Sequence, residues 1–546
     1  MDNNGWLVLL LVLLAETGTT AAWQSRTDRY RGYPPQGYPY PPQGYPYPPY
    51  GRATARCSSS CSSECSCRRG CDCSNKSLTS VPQDLPTSLI TSLSLQNNAF
   101  TTLNQSDFSR YSNLTTLRLQ HNQISTINSG AFYTFTRLTY LYLHNNQLTI
   151  LRSDMFLGLD NLRTLRLDHN NIHSIEAGTF NLPGLRTLNL YNNQLTRLRP
   201  DMFVGMDNLG SLDLRNNSVH SIEAGTFNLP GLNRTLNLNN NQLTSLRPDM
   251  FVGLDNLEGL YLSHNSIHSI EAGTFNLPGL RTLNLYNNQL TSLRPDMFVG
   301  LDNLGELDLH NNSIHSIEAG TFSNSRSLYR LELQNNNIVA IGSNILSHSP
   351  AYRYISLSNN DINAFPVEAF SNLITKGYLK LDNNLMETLT PAAYDILASN
   401  DDGTVRINID DNPWQCDCRM LPFKRRLTGF LAFEKTIRCE GPDHLEGKSL
   451  LVAVEPEDLI CEEETSTGTT GATPPAGGSA TGSSGPSPGF SLSVFLSGFL
   501  GVLVGALLAS AVFLAIWCRK QETQNQSYSC PSPSLHPGTH VTTKNR

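Results

Sequence analysis

Between Ile90 and Leu389 the apolar and polar positions follow one rule. The pattern L-x-x-L-x-L-x-x-N-x-L/I returns again and again, each time followed by a looser tail that ends in a large apolar side chain. Counted from the first Leu, positions 4 and 6 are apolar while positions 3, 5 and 7 are mostly polar. Period two over so short a run predicts a strand with its Leu side turned inward and its odd positions open. The Asn at position 9 recurs as Asn98, Asn122, Asn146, Asn170, Asn193, Asn217, Asn241, Asn265, Asn288, Asn312, Asn336, Asn360 and Asn384, always 23 or 24 residues apart. Ten residues after each stands a large apolar residue, from Phe108, Phe132 and Phe156 through Phe322 to Leu346, Phe370 and Tyr394. An Asn amide donates and accepts, so where the chain leaves the strand it can satisfy buried backbone groups of the turn. A Leu there leaves them unpaired at roughly 1–3 kcal/mol each. The Phe packs from the opposite side. No unit buries its own apolar face, and stacked neighbours do so jointly. The pattern predicts parallel strands about 4.8 Å apart on one continuous core.

Two stretches of the chain are near copies, and their differences carry a second signal. Segments 181–227 and 276–322 differ at five positions, two of them (Ser211/Glu306 and Arg215/His310) on the open strand side. Segments 228–275 and 276–322 differ by one inserted residue and by substitutions only at positions 2, 3, 5, 7 and 8: Asn239/Tyr286, Glu258/Gly305, Gly259/Glu306, Tyr261/Asp308, Ser263/His310 and His264/Asn311. Neutral drift also favours exposed positions, but the opposite loops are exposed too and barely differ. The bias points to recognition on the open strand face.

This period and motif are those of leucine-rich repeats. Cys61-x3-Cys65-x-Cys67-x5-Cys73 resembles the N-terminal cap of extracellular leucine-rich-repeat proteins, and NPWQCDC at 412–418 with Cys439, Cys461 and DHLEGKSL at 443–450 resembles their C-terminal cap. The resemblance spans residues 61–461. It implies an α/β solenoid, a leucine-rich-repeat horseshoe with a parallel concave sheet and disulfide-bonded caps. It also implies the pairs Cys61–Cys67, Cys65–Cys73, Cys416–Cys439 and Cys418–Cys461; Cys57 and Cys71 are extra to the pattern, and we assign them to each other. Within that group CSNKSLTSVPQDLP at 73–86, the 24-residue repeats and the Thr-containing stalk resemble the variable lymphocyte receptors of jawless vertebrates. That likeness implies antigen-like immune recognition on the concave face. The chain departs from those receptors in its six N-terminal cap cysteines, in lacking a long insertion between Cys439 and Cys461, and in carrying a span with a tail.

The rest of the chain gives the order of parts. Residues 1–22 read as a signal peptide, with an apolar run Trp6–Ala15 that is short for a membrane anchor. Residues 23–56 hold a Tyr/Pro/Gly arm with PPQGYPY repeated, expected to be extended, as a spacer or as a ligand for Pro-binding partners. The N-terminal cap covers 57–89, the repeats 90–403 and the C-terminal cap 404–464. An uncharged Thr/Ser/Gly/Pro stalk follows at 465–489. Residues 490–517 contain no charged residue and are long enough for a single transmembrane helix, and Arg519-Lys520 directly after it is the positive-inside mark. A polar tail, 518–546, argues against a lipid-anchor signal. The order gives a single-pass type I protein of the plasma membrane with its repeats outside. Ser497, Gly501, Gly505 and Ala509 recur every four residues, a small-residue face that suits a helix-mediated dimer through Gly501 and Gly505. Cys518 stands at the depth of a palmitoylation site and Tyr528 is a candidate phosphorylation site.

Composition narrows the function. The net charge is −7 with 16% charged residues, and no basic block points to nucleic acid. The 12 cysteines fall in the two caps apart from Cys518 and Cys530; behind a signal peptide, disulfides are favoured over metal. No nucleophile elbow, phosphate loop or zincin motif occurs, so the reading is not an enzyme, and no cofactor is expected. His121, His144 and His169 lie on successive repeats and read as ordinary polar side chains facing solvent or, less simply, as a metal set. Sequons at Asn75, Asn104, Asn113, Asn216, Asn233 and Asn311 mark glycosylation sites. Asn216 and Asn311 stand at position 8, where a glycan obstructs the open face, whereas the second to fourth repeats carry none at that position. The candidate ligand-binding residues are therefore Tyr140, Tyr142, His144, Arg166, Asp168, His169 and Tyr191, with Asp213, Arg215, Tyr261 and Tyr286 further along; Tyr and Arg suit contact hot spots. The two functional readings are a recognition receptor for extracellular protein or glycan and a homophilic or matrix adhesion molecule.

Overall fold

A computed structural model describes residues 65–461, apart from 68–69, 86–89, 344, 347–351, 371–376 and 401–405. The signal peptide, the Tyr/Pro/Gly arm, the stalk, the span and its dimer face, and the tail lie outside the described residues, as do Cys57 and Cys61. Among the described residues no helix is long and apolar enough to cross a membrane.

One sheet runs along the described repeats, from Ser66 to Asn408. It opens with a short antiparallel pair, Ser66–Cys67 with Cys71–Asp72, and then continues in parallel, one strand per repeat, from Ser92–Ser94 to Arg406–Asn408. Each strand covers positions 3 to 5 of the repeat. The middle Leu is buried, as Leu117, Leu141, Leu165 and Leu188 show at 0% exposure, while the residues on either side face outward. Register is constant: Leu pairs with Leu on the next strand. A slip of one residue would turn every Leu outward.

The Asn at position 9 does what its chemistry predicts. Asn146 Nδ2 donates to Leu119 O and Leu143 O, each at 3.0 Å, and its Oδ1 accepts from the Ile124 amide at 3.0 Å. Each side chain thus stitches its own turn to the preceding repeat. The ladder has one rung more than the 23–24-residue spacing indicates: Asn412, beyond the longer insertion, donates to Leu381 O and Ile409 O and accepts from the Met386 amide. The insertion forms the helix Pro391–Asn400, with Pro at its first position and the Thr390 hydroxyl accepting from the Ala393 amide at 3.2 Å.

On the opposite side the phenylalanines form a spine. From Phe132 to Phe322 successive rings stack with centroids 6.0–6.4 Å apart, and all are buried. The repeats there pair two by two. Ile150–Leu151 lies beside Ser174–Ile175 and Arg197–Leu198 beside Ser221–Ile222, so the two-repeat copy seen in the sequence is also a structural unit. One member of a pair turns with Pro200–Met202 as a 3-10 helix; the other ties its turn with Thr226 Oγ1, which donates to Leu198 O at 3.2 Å and Glu223 O at 2.7 Å.

Disulfides close both ends. Cys65–Cys73, Cys416–Cys439 and Cys418–Cys461 are formed. In the C-terminal cap the fully buried Glu434 accepts from the Thr428, Gly429 and Leu431 amides and from Tyr394 Oη. A buried carboxylate needs such partners, and this one ties the last repeat to its cap.

Candidate functional site

Positions 5, 7 and 8 of neighbouring strands stand side by side, so residues 23 or 24 apart in sequence meet on the open face. Arg118, Tyr142, Arg166 and Asp213 come from position 5; His144, Asp168, Tyr191 and Arg215 come from position 7. They form two contact sets on adjoining strands, connected where Arg166 and Asp168 act electrostatically on His144. The Arg118 guanidinium lies 5.5 Å from the Tyr142 ring centre, and Tyr142 and His121 both meet His144 edge to face, at 6.2 and 5.8 Å. Arg166 grips Asp168 with two bonds, Nε–Oδ1 at 2.9 Å and Nη2–Oδ2 at 2.7 Å, and reaches Tyr191 Oη at 3.2 Å. His169 packs edge to face on Tyr191 at 5.1 Å, Arg215 covers the same ring at 4.5 Å, and Asp213 pairs with Arg215 at 3.3 Å. Asn192 Nδ2 holds the His169 ring at 2.9 Å.

The electrostatics follow from depth. Asp168 and Asp213 are 0% and 5% exposed, whereas Tyr142, Arg166, Tyr191 and Arg215 stand half-buried above them. Burial pushes the Asp213 carboxyl up to about 6, against the pull of Arg215. Burial, and then the Arg166 cation, pushes His144 down to about 4, so His144 is neutral at pH 7. The sunken acids hold two arginines upright, and this costs the face little freedom when a ligand arrives.

The other predicted residues fall elsewhere. Tyr140, at position 3, turns toward the rim of the sheet with Arg163 and Arg186. Tyr261 folds back over Gly259, whose absent side chain leaves it room. Between the groups the surface is plain: Asn239 Oδ1 accepts from the Ser263 amide at 2.8 Å, and the Asn239 amide donates to Asn237 Oδ1 at 3.1 Å. Tyr286 belongs to a second group, between His264 at 4.9 Å and a stacked His310 at 4.4 Å. His310 bonds Asp308; Arg330 holds Glu332 and covers Tyr354 at 4.5 Å. Ligand-type atoms of Asp308, His310 and Glu332 lie within 4.8 Å of one another, but Arg330 already supplies Glu332 with a cation. Lys380 over Tyr354 and Arg406 over Tyr378 extend this group to the last strand.

Sequence reasoning missed Arg118, Asn192 and most of the second group. The available signal was constant register: a cation and a tyrosine at the same position, 3 or 5, of adjacent repeats stand one strand spacing apart on one face. It also missed position 8. Asn97, His121, Asn145, His169, Asn192, Asn216 and their counterparts all have φ between 51° and 56°, a left-handed conformation that Asn and His tolerate better than most residues. Of the sequons, Asn75, Asn216 and Asn233 are exposed. Asn104 is tied to Asp107 and Asn128, Asn216 Nδ2 donates to Asn192 Oδ1 at 2.6 Å, and Asn311 Oδ1 accepts from Asn335. Asn113 is half-buried.

Comparison with known proteins places this geometry. A family model described as leucine rich repeat matches residues 88–148, 112–172, 160–219, 207–267, 255–314 and 302–362, a continuous 275 residues (88 to 362) of 546. The platelet glycoprotein Ib beta chain of Rattus norvegicus is 39% identical over 54 residues, 10% of this chain and 26% of that protein. Among solved structures, a chain of the glycosylated Toll–Spatzle complex, described as a molecular hub in Drosophila development and innate immunity, matches with a TM-score of 0.59 at 24% identity, covering 68% of this chain and 55% of that one. A second structure of that complex gives 0.53 at 21% identity, covering 70% and 57%. The chain thus spans about a quarter of the rat protein and just over half of the matched chains of the complex. At these identities the structural likeness is one of fold.

Proposed function

The chain belongs to the leucine-rich-repeat family, and on that premise we propose that it is a type I cell-surface recognition receptor that binds an extracellular protein or glycan on the open face of its sheet. The carrying observation is the connected group from Arg118 to Arg215, in which Arg166 is clamped by Asp168 and Tyr191. Tyr and Arg held upright over buried acids are the composition of a binding hot spot, and their mutual bonds fix them in advance. A fold neighbour is solved as a Toll–Spatzle complex, which is in keeping with a protein partner for such a coil. The disulfide caps suit an oxidising, extracellular setting. Antigen-like immune recognition is the finer form of this reading, supported by rewriting of the open face between otherwise copied repeats.

The test uses the full-length chain displayed on cells and an unbiased screen of cell-surface and secreted proteins together with a glycan array. Substituting Tyr142, Arg166 and Tyr191 together by Ala should abolish binding of whatever is captured while leaving surface expression intact. Unchanged binding would reject this face region. Transfected cells that clump only with one another would replace the receptor reading with homophilic adhesion.

A further inference from the structure

Beside the open face, along the edge where the chain enters each strand, position 2 of the repeat forms a row of its own. Neighbouring members sit one strand apart, about 4.8 Å. In the fourth, fifth and seventh repeats the residue is Arg163, Arg186 and Arg234; in the sixth it is Gly210. The backbone there is pinned, since Arg186 O accepts from the amides of Gly210 and Ser211 at 2.9 and 3.0 Å. The missing side chain at Gly210 opens a groove of about 470 Å³, lined by the three arginines with Tyr140, Asn208 and Asn233 among others. A side chain at Gly210 would meet Asn233 Oδ1 at 3.4 Å and Arg234 Cδ at 3.9 Å.

The three arginines are exposed. Among the described residues none has a carboxylate partner within salt-bridge distance, whereas most other arginines on this coil do. Arg166, Arg215 and Arg330 are each paired, and Arg281, the next arginine along the same row, has Glu258 at 3.9 Å. The copies show that this differs by site: the row reads Arg186, Gly210, Arg234, then Glu258, Arg281, Gly305. Unpaired guanidiniums at intervals of about one and two strands (~5 and ~10 Å) are spaced for an extended anion. The lining offers amides, a tyrosine and arginine forks, and no aliphatic pocket. The groove lining holds no carboxylate, and a row of guanidinium forks suits the repeated anionic oxygens of an acidic saccharide.

We propose that this rim groove binds a linear sulfated or carboxylated glycan, with Arg163, Arg186 and Arg234 as its anion contacts. The site is separate from the open-face group and does not rest on the receptor reading. Asn233 heads the sequon Asn233-Arg234-Thr235, created by the one inserted residue in the repeats, so a sugar attached there would stand in the groove.

The test is binding of a heparin-derived oligosaccharide to the full-length chain carrying Asn233→Gln, which keeps the groove clear of attached sugar. Saturable binding is expected, weakened roughly tenfold for each of Arg163→Ala, Arg186→Ala and Arg234→Ala and steeply reduced by salt. Arg281→Ala, a paired arginine on the same row, should leave it unchanged. An unaltered thermal midpoint in the variants shows that the coil is intact. Equal binding of the chemically desulfated and decarboxylated oligosaccharide, equal binding of polyglutamate, equal loss in Arg281→Ala, or no binding at all would each overturn the proposal.

Discussion

Replacing Asn193 by Ala tests the ladder at the rung that sits directly under the open-face group. Its Oδ1 accepts the Ile172 amide at 2.9 Å, and that buried amide has no other acceptor among the described residues. Its Nδ2 donates to Leu167 O at 3.1 Å and Leu190 O at 2.9 Å. Those two carbonyls keep a second donor each, from Asn170 and Asn217. The variant therefore leaves one buried donor unpaired, at about 1–3 kcal/mol, and loses two further bonds at about 1 kcal/mol net each. The expected loss is about 3–5 kcal/mol, which is large beside the stability of a domain. Urea unfolding followed by circular dichroism measures the total, and hydrogen exchange at the Ile172 amide measures the local part. Asn193→Asp separates the contributions: it keeps an acceptor for Ile172 but points a carboxylate oxygen at two carbonyls, so at pH 7 it should be at least as destabilised as the Ala variant. A loss below about 0.5 kcal/mol, the level of an ordinary surface change, with Ile172 still protected, would refute the claim that these side chains hold the repeats together.

Three further outcomes follow from the same geometry. Asp213 has a carboxyl raised from 3.8 to about 6, so its protonated form fits the fold better; its stabilising contribution is complete below about pH 4 and is lost as pH rises through 6. Asp213→Asn should thus gain on the order of 3 kcal/mol over the parent at pH 8 and nothing at pH 4, read from urea midpoints at the two pH values. At Asn145, with φ 55°, Asn145→Val should cost about 1–2 kcal/mol and Asn145→Gly much less, a contrast that thermal melts resolve. Opening Cys418–Cys461, which closes a loop of sequence separation 43, by Ser at both positions should lower stability by about 4 kcal/mol, with exchange rising first around Ile407 and Ile409.

Much of the fold was legible because its parts are written at fixed offsets. The Asn ladder and the Phe spine each follow from one residue type at one interval, and chemistry alone says what a buried amide or a buried ring must do there. Asn412 escaped because the helix Pro391–Asn400 lengthens the interval before it. Position 8 escaped because a left-handed φ leaves only a weak preference for Asn and His as its trace. Of the candidate residues, Tyr142 meets His144, and Arg166, Asp168, His169, Tyr191, Asp213 and Arg215 meet one another; all stand at positions 5 and 7 except His169, at position 8. Tyr140 and Tyr261 show the limit: a strand position fixes a face, but the rotamer and the space beside it, here Gly259, decide which neighbour is touched. Arg163, Arg186 and Arg234 stood at the rim, outside the period-two window, and only the gap at Gly210 gathers them.

A single sugar placed on the open face is the most direct test of recognition there. Gln194→Thr creates a sequon at Asn192, whose side chain bonds the His169 ring in the group around Arg166 and Tyr191. Ala177→Asn creates one on the exposed opposite side, three residues before Phe180, using the existing Thr179. With both sites occupied as judged by a mass shift, ligand binding by cells displaying the first variant should vanish and binding by the second should equal the parent. Binding that survives a glycan at 192, or is lost with one at 177, would contradict the account.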